Sequence, residues 1–141
     1  MNNDFLSTIA AVSTPRGKGG VALIRISGSE AVAVAGRCFS PMCHKKVEEL
    51  ASRTAYFGDI LLDGKPIDDG LITIFRAPAS YTGEDMVEIS CHGGILISAA
   101  VLESAFICGA VPAERGEFTK RAFINGKLSL ASAEGLIDMI N

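Results

Sequence analysis

The chain lacks several features that would assign it a role at once. It has no excess of positive charge: 13 Lys and Arg stand against 16 Asp and Glu, for a formal net charge of -3. Domains that grip nucleic acid through its phosphates are usually basic, so general RNA or DNA binding by this segment is disfavoured. It has no C-x-x-C pair. Four cysteines are present, Cys38, Cys43, Cys91 and Cys108, and two of them precede a histidine, as Cys43-His44 and Cys91-His92. That spacing fits no common zinc motif, and buried structural cysteines are the expected reading. No apolar run reaches the roughly 20 residues of a membrane span; the nearest, residues 95–108, contains Glu103. Residues 1–7 carry an acid and no apolar signal core, so reduced thiols and a cytoplasmic location are expected. Internal repeats and low-complexity runs are also missing.

What is present suits one domain with a core of its own. The chain has 141 residues, 48% of them hydrophobic and 21% charged, which needs no metal or disulfide to fold. The charge is uneven. Acids crowd the middle (Asp59, Asp63, Asp68, Asp69, Glu84, Asp85, Glu88), and bases gather later (Arg115, Lys120, Arg121, Lys127). An acidic middle and a basic end can meet across a site or an interface.

Patterning predicts strands over residues 8–13, 21–27, 54–62, 67–76 and 86–92, with a short sixth over 110–112. Asp63-Gly64-Lys65-Pro66 joins two of them as a hairpin. A helix over 30–38 is expected, capped by Ser27 or Ser29. A second is expected after Gly93-Gly94 through Cys108, closed by Gly109. Residues 41–50 read as an irregular surface connection or a weak helix, and 77–85 as a loop. One or two helical turns over 119–124 stop at Asn125-Gly126, and a last helix begins near Ser129. The fold class expected is α+β, a mixed, mostly antiparallel sheet with two packed helices. Leu130, Ala133, Ile137 and Ile140 make one apolar face of the last helix, and a helical continuation beyond Asn141 is expected.

Residues 14–20, Thr-Pro-Arg-Gly-Lys-Gly-Gly, are not a phosphate loop. Gly20 leads into a strand rather than a helix, and no Lys-Ser or Lys-Thr follows. A flexible hairpin loop is expected there, or one that covers a ligand or partner. Arg25 shares a strand face with Val21, Leu23 and Ser27, and both faces of that strand are largely apolar. A half-buried guanidinium needs an anionic or carbonyl partner. That partner is an internal carboxylate or a ligand. Glu88 lies on a strand face with Met86, Ser90 and His92, which suggests a polar cavity. Its carboxylate suits the paired N–H groups of an amino-pyrimidine edge, and it equally suits Arg25. His92 reads as a strand-end histidine satisfied by backbone. Lys127, after the Asn125-Gly126 turn, is solvated unless that turn folds over a pocket.

Several segments together resemble one family. They are 14–21 (Thr-Pro-Arg-Gly-Lys-Gly-Gly-Val), 23–28 (Leu-Ile-Arg-Ile-Ser-Gly), 80–85 (Ser-Tyr-Thr-Gly-Glu-Asp), 88–94 (Glu-Ile-Ser-Cys-His-Gly-Gly), 116–123 (Gly-Glu-Phe-Thr-Lys-Arg-Ala-Phe), 125–128 (Asn-Gly-Lys-Leu) and Ala133-Glu134. Their order and content resemble the N-terminal region of the MnmE-type (TrmE) tRNA modification GTPases. Two departures are visible: the family usually has Pro where Arg115 stands, and its glycine loop usually reads Pro-Pro-Gly-Arg-Gly-Gly.

The resemblance implies a folate-binding and dimerisation domain over 1–125, similar to the tetrahydrofolate-binding domain of the aminomethyltransferases. The start of a helical domain over 126–141 follows. It implies 5-formyl- or 5,10-methylene-tetrahydrofolate as ligand, held by Arg25, Glu88 and Lys127, with the loop at 80–85 shaping the site or the dimer contact. No catalytic residue and no metal ligand is assigned to this segment. GTP, potassium and magnesium would belong to a GTPase domain that the segment lacks, and the segment alone is expected to be inactive. The partners implied are a second copy, as a homodimer, the flavin-dependent protein MnmG (GidA), and tRNA through the full complex. The product is an aminomethyl-type group on C5 of the wobble uridine. The alternatives are a ligand-free dimerisation domain, in which Arg25 and Glu88 only pair with each other, and a small stand-alone folate-dependent transferase.

Overall fold

A computed structural model describes residues 7–13 and 20–140, with side chains up to Leu136. The glycine-rich residues 14–19 therefore lie outside the described residues, as do the side chains of Ile137 and Ile140. Among the described residues, seven strands form one sheet: β1 (Ile9–Val12), β2 (Val21–Ser27), β3 (Phe39–Pro41), β4 (Tyr56–Leu62), β5 (Lys65–Phe75), β6 (Met86–His92) and β7 (Val111–Pro112). Their spatial order is β3-β4-β5-β6-β2-β1-β7. Each neighbouring pair is antiparallel except β1 with β7. Helices α1 (Ala31–Cys38) and α2 (Ile95–Ile107) pack on the sheet, and α3 (Glu117–Ile124) and α4 (Leu130–Ile140) follow it. The α+β class with a mixed sheet is therefore the observed one. No helix among the described residues is long and apolar enough to cross a membrane.

Alternation decides which face of the sheet is closed. Ala22, Ile24 and Ile26 of β2, Val87, Ile89 and Cys91 of β6, and Ile72 and Ile74 of β5 are buried on one face. Val34, Ala35 and Cys38 of α1 and Val101 and Ala105 of α2 complete that core. Burying one Ile or Val side chain contributes about 1.5–3 kcal/mol, and small alanines let the helix backbones sit close to the strands.

The opposite face is graded. At one end Ile9, Ser27 and Met86 are buried, while Phe57 and Leu71 stay exposed. Arg25 and Glu88 lie between these extremes.

Four local expectations need correction. The α1 cap is not a serine: Glu30 occupies the N-cap position without a side-chain cap bond, and its backbone N–H donates to Thr8 Oγ1 at 3.0 Å. Ser27 is unavailable as a cap because its hydroxyl donates to Glu84 and shares a bond with Thr82, both at 2.8 Å. Secondly, the hairpin connection is two residues, Asp63 and Gly64, not four. Their φ angles of 54° and 76° give the twist a tight β-hairpin needs, and a glycine accepts it without strain. Thirdly, the edge strand β3, too short for alternation to reveal, was not expected; it meets the 41–50 connection only at Pro41, and that connection carries one short 3-10 turn over Val47–Glu49. Lastly, Cys43 is exposed, unlike the buried Cys38 and Cys91. Burial pushes the Cys38 thiol up to about 12 and the Cys91 thiol up to about 11.

The loop at 77–85 is clamped over the closed end of the graded face by a buried cation. The Arg121 side chain is 1% exposed and donates to Ser7 O at 2.7 Å, to the Glu84 carboxylate at 3.1 and 3.2 Å, and to Glu117 Oε2 at 2.9 Å. The acidic middle and the basic end of the sequence thus meet inside the chain. Removing one member of such a buried pair strands the other in low dielectric. Arg121→Met is expected to lower unfolding free energy by about 3–5 kcal/mol, measured by urea denaturation at pH 7. Little change would show that the cation is not what fastens the loop.

Candidate functional site

Burial of Ile24, Ile26, Val87 and Ile89 sets β2 against β6 so that Arg25 stands directly opposite Glu88. The two side chains meet on the graded face. Arg25 Nε donates to Glu88 Oε2 at 2.8 Å, with side chains 32% and 23% exposed. On the far side of Glu88 the register partner is Thr73 of β5, and beside Arg25 it is Ala11 of β1. The sequence left Arg25 a choice between an internal carboxylate and a ligand; the structure supplies the carboxylate. It does so through one contact only. A guanidinium has five N–H donors and a carboxylate two acceptor oxygens. Among the described residues, the Arg25 terminal nitrogens and Glu88 Oε1 have no hydrogen-bond partner.

The Asn125-Gly126 turn brings Lys127 against the loop at 77–85. Asn125 Nδ2 donates to Thr82 O at 2.8 Å and Lys127 Nζ to Pro78 O at 3.2 Å. The turn therefore folds over the loop at 77–85 instead of standing free in solvent. Lys127 forms no ion pair with Glu88 among the described residues.

The loop contributes a residue that sequence reasoning did not single out. The Tyr81 ring lies beside Arg25, with Cζ 5.9 Å from its centroid, and its hydroxyl shares a 3.0 Å hydrogen bond with Thr119 of α3. No periodicity or charge pattern points to Tyr81, since it sits in a loop. Arg121 was missed as a structural residue, although its i,i+4 spacing from Glu117 was a usable signal.

His92 differs from its expected role. Its partner is a carboxylate: Nδ1 lies 2.7 Å from Asp68 Oδ1, and its backbone N–H donates to Asp68 Oδ2 at 2.9 Å. Cys91, its neighbour, lies in the core on the other face of the strand, so the two do not act together. Asp68, Asp69 and His92 bring ligand-type atoms within 4.8 Å of one another, but the Nδ1 contact with Asp68 already occupies one of them.

Comparison with known proteins follows the same residues. Residues 8–127 match the family model described as GTP-binding protein TrmE N-terminus. The chain belongs to this TrmE N-terminal family. The tRNA modification GTPase MnmE of Carboxydothermus hydrogenoformans is 48% identical over 135 residues, covering 94% of this chain and 29% of that protein. The proteins of the same name from Moorella thermoacetica and Geobacillus thermodenitrificans are 46% and 44% identical, with the same coverage. The chain thus spans less than a third of the length of the curated relatives it matches. Arg25, Glu88 and Lys127 all fall inside the TrmE-matched residues.

The Asp68–His92 contact has a pH signature. The Asp68 hydrogen bond, then its charge, raises His92 above its ordinary 6.5. Burial alone would raise Asp68, but the backbone and ring N–H groups of His92, with the Asp69 backbone, outweigh it and hold the carboxyl below 3.8. A raised histidine contributes stability below its unfolded pKa and loses it as pH rises through its folded value. A depressed carboxyl contributes above its unfolded pKa and loses it as pH falls through its folded value. The stability difference between wild type and Asp68→Asn is therefore expected to be fully present between pH 3.8 and 6.5 and to shrink on either side. In histidine NMR titrations the His92 midpoint should fall toward 6.5 in Asp68→Asn; an unchanged midpoint would show that the contact does not persist in solution.

Proposed function

We propose that this chain is the tetrahydrofolate-binding module of a tRNA modification GTPase. The observation that carries the reading is the half-buried Arg25–Glu88 pair, joined by one hydrogen bond and retaining unused donors and one unused acceptor. The carboxylate suits the N–H edge of a reduced pterin, and the guanidinium suits carbonyl or formyl oxygens. Lys127, on the turn above the neighbouring loop, adds a second cation suited to the glutamate tail or a formyl oxygen. The ligand is 5-formyl- or 5,10-methylene-tetrahydrofolate, and the fold is of the kind found in the folate-binding domain of the aminomethyltransferases.

The relatives' name supports the coarse part of the wider role, tRNA modification by a GTPase, and the rest is part of the same proposal. In the full-length protein the module works with a GTPase domain that uses GTP, potassium and magnesium. With the flavin-dependent partner MnmG it adds an aminomethyl-type group to C5 of the wobble uridine in cytoplasmic tRNA, the folate supplying the carbon. Residues 1–125 are the folate-binding and dimerisation domain, and 126–141 begin a helical domain. Phe57 and Leu71, opposite each other and 45% and 43% exposed, support homodimer formation through the open end of the graded face. A second reading has one observation in its favour: Arg25 and Glu88 already pair with each other through one hydrogen bond, as a ligand-free dimerisation domain would allow.

Calorimetry with 5-formyl-tetrahydrofolate separates the two. Wild type is expected to bind. Arg25→Ala and Glu88→Ala should each weaken binding by about tenfold or more, since a hydrogen bond to a charged group contributes about 1.5–3 kcal/mol. A wild-type protein that gives no heat and no competition would defeat the folate reading and leave the dimerisation one.

A further inference from the structure

We infer that Tyr81 is a positioning residue of this ligand site, fixing the plane of the Arg25 guanidinium against which a flat, hydrogen-bonding ring is read. The inference rests on the folate reading and names a residue that the reading does not require.

Arg25 is held by Glu88 through Nε alone, and a single contact leaves the guanidinium plane free to tilt about it. The Tyr81 ring, 5.9 Å from Cζ, restricts that tilt. A cation over an aromatic face is attracted by the ring quadrupole within about 6 Å of its centroid. The ring is itself held. Its hydroxyl bonds Thr119, which is 4% exposed on α3. On either side along the chain, the Ser80 hydroxyl donates to Glu84 O and the buried Thr82 hydroxyl bonds Ser27.

Tyr81 is nevertheless 39% exposed. A tyrosine tied down by a buried partner on one side, with much of its surface left open next to an ion pair, is poorly explained by core filling. It is well explained as a wall. Ring surface, guanidinium and carboxylate then stand together, the combination that a planar heterocycle with donor and acceptor edges fits.

The test is a series on the 141-residue chain: Tyr81→Phe, Tyr81→Trp, Tyr81→Leu and Thr119→Val. Each is titrated with 5-formyl-tetrahydrofolate by calorimetry, and its unfolding midpoint is recorded. Phe and Trp keep a face for the guanidinium and should bind within about threefold of wild type. Leu removes it and should weaken binding on the order of tenfold. Thr119→Val loses the same hydroxyl bond that Phe loses, and should match it, within about threefold of wild type. A Leu variant that keeps its midpoint and binds like wild type overturns the inference. If the Leu variant does not fold, the Trp variant decides: a normal midpoint with affinity reduced tenfold overturns it, and retained affinity supports it. Failure of wild type to bind removes the folate reading and this inference together. Wild-type binding with an unchanged Leu variant removes this inference alone.

Discussion

The register between β2 and β6 is the constraint on which the site depends. Side chains alternate along a strand, so a slip of one residue sends every inward group outward. Ile24 and Ile26 cannot leave the core without losing their burial, nor can Val87 and Ile89 opposite them. The same restriction that keeps four aliphatic side chains inside keeps Arg25 and Glu88 on the other face and opposite each other. The ion pair is thus placed by hydrophobic burial one residue away from it. Its own attraction adds little to the choice, because a pair that is a quarter to a third exposed is largely screened by water.

A second device turns an open sheet face into a site. Left bare, that face would present Ile9, Met86 and Arg25 to solvent alike. The loop at 77–85 covers one end, and Arg121 holds it there from α3. A guanidinium that is 1% exposed is costly to desolvate. Four oxygens from Ser7, Glu84 and Glu117 offset that cost, and they come from segments far apart in sequence. Because Tyr81 rides on the same loop, the clamp also sets what stands beside Arg25. The turn at Asn125-Gly126 closes on the loop from above and carries Lys127 with it.

The gradient of exposure along this face gives the site its chemical character. Deeper in, at Ser27 and Met86, a carboxylate and a guanidinium would have to be fully paired to survive. Farther out, beside Leu71 and Phe57, water would weaken every polar contact a ligand makes. Between the two, Arg25 and Glu88 retain unused hydrogen-bonding groups in partly dry surroundings, where contacts to the folate proposed above would count for more than in bulk solvent.

Much of this was legible from composition and pattern. β2 and β6 were bounded correctly because short, β-branched, alternating runs have few other uses. The α2 stop at Gly109, the Asp63-Gly64 hairpin and the Asn125-Gly126 turn were visible because backbone with positive φ selects glycine. Alternation also put Arg25 and Glu88 each on the less apolar face of its strand. The sequence could not reveal which carboxylate Arg25 meets, that His92 meets Asp68 and not a backbone group, that Ser27 serves Thr82 and Glu84 instead of a helix, or that Tyr81 stands by Arg25. Those are contacts between residues tens of positions apart, and nothing local encodes them. Periodicity reports which way a side chain faces. Only the assembled sheet and the clamped loop decide what it faces, because that depends on which distant segments share the cost of leaving water.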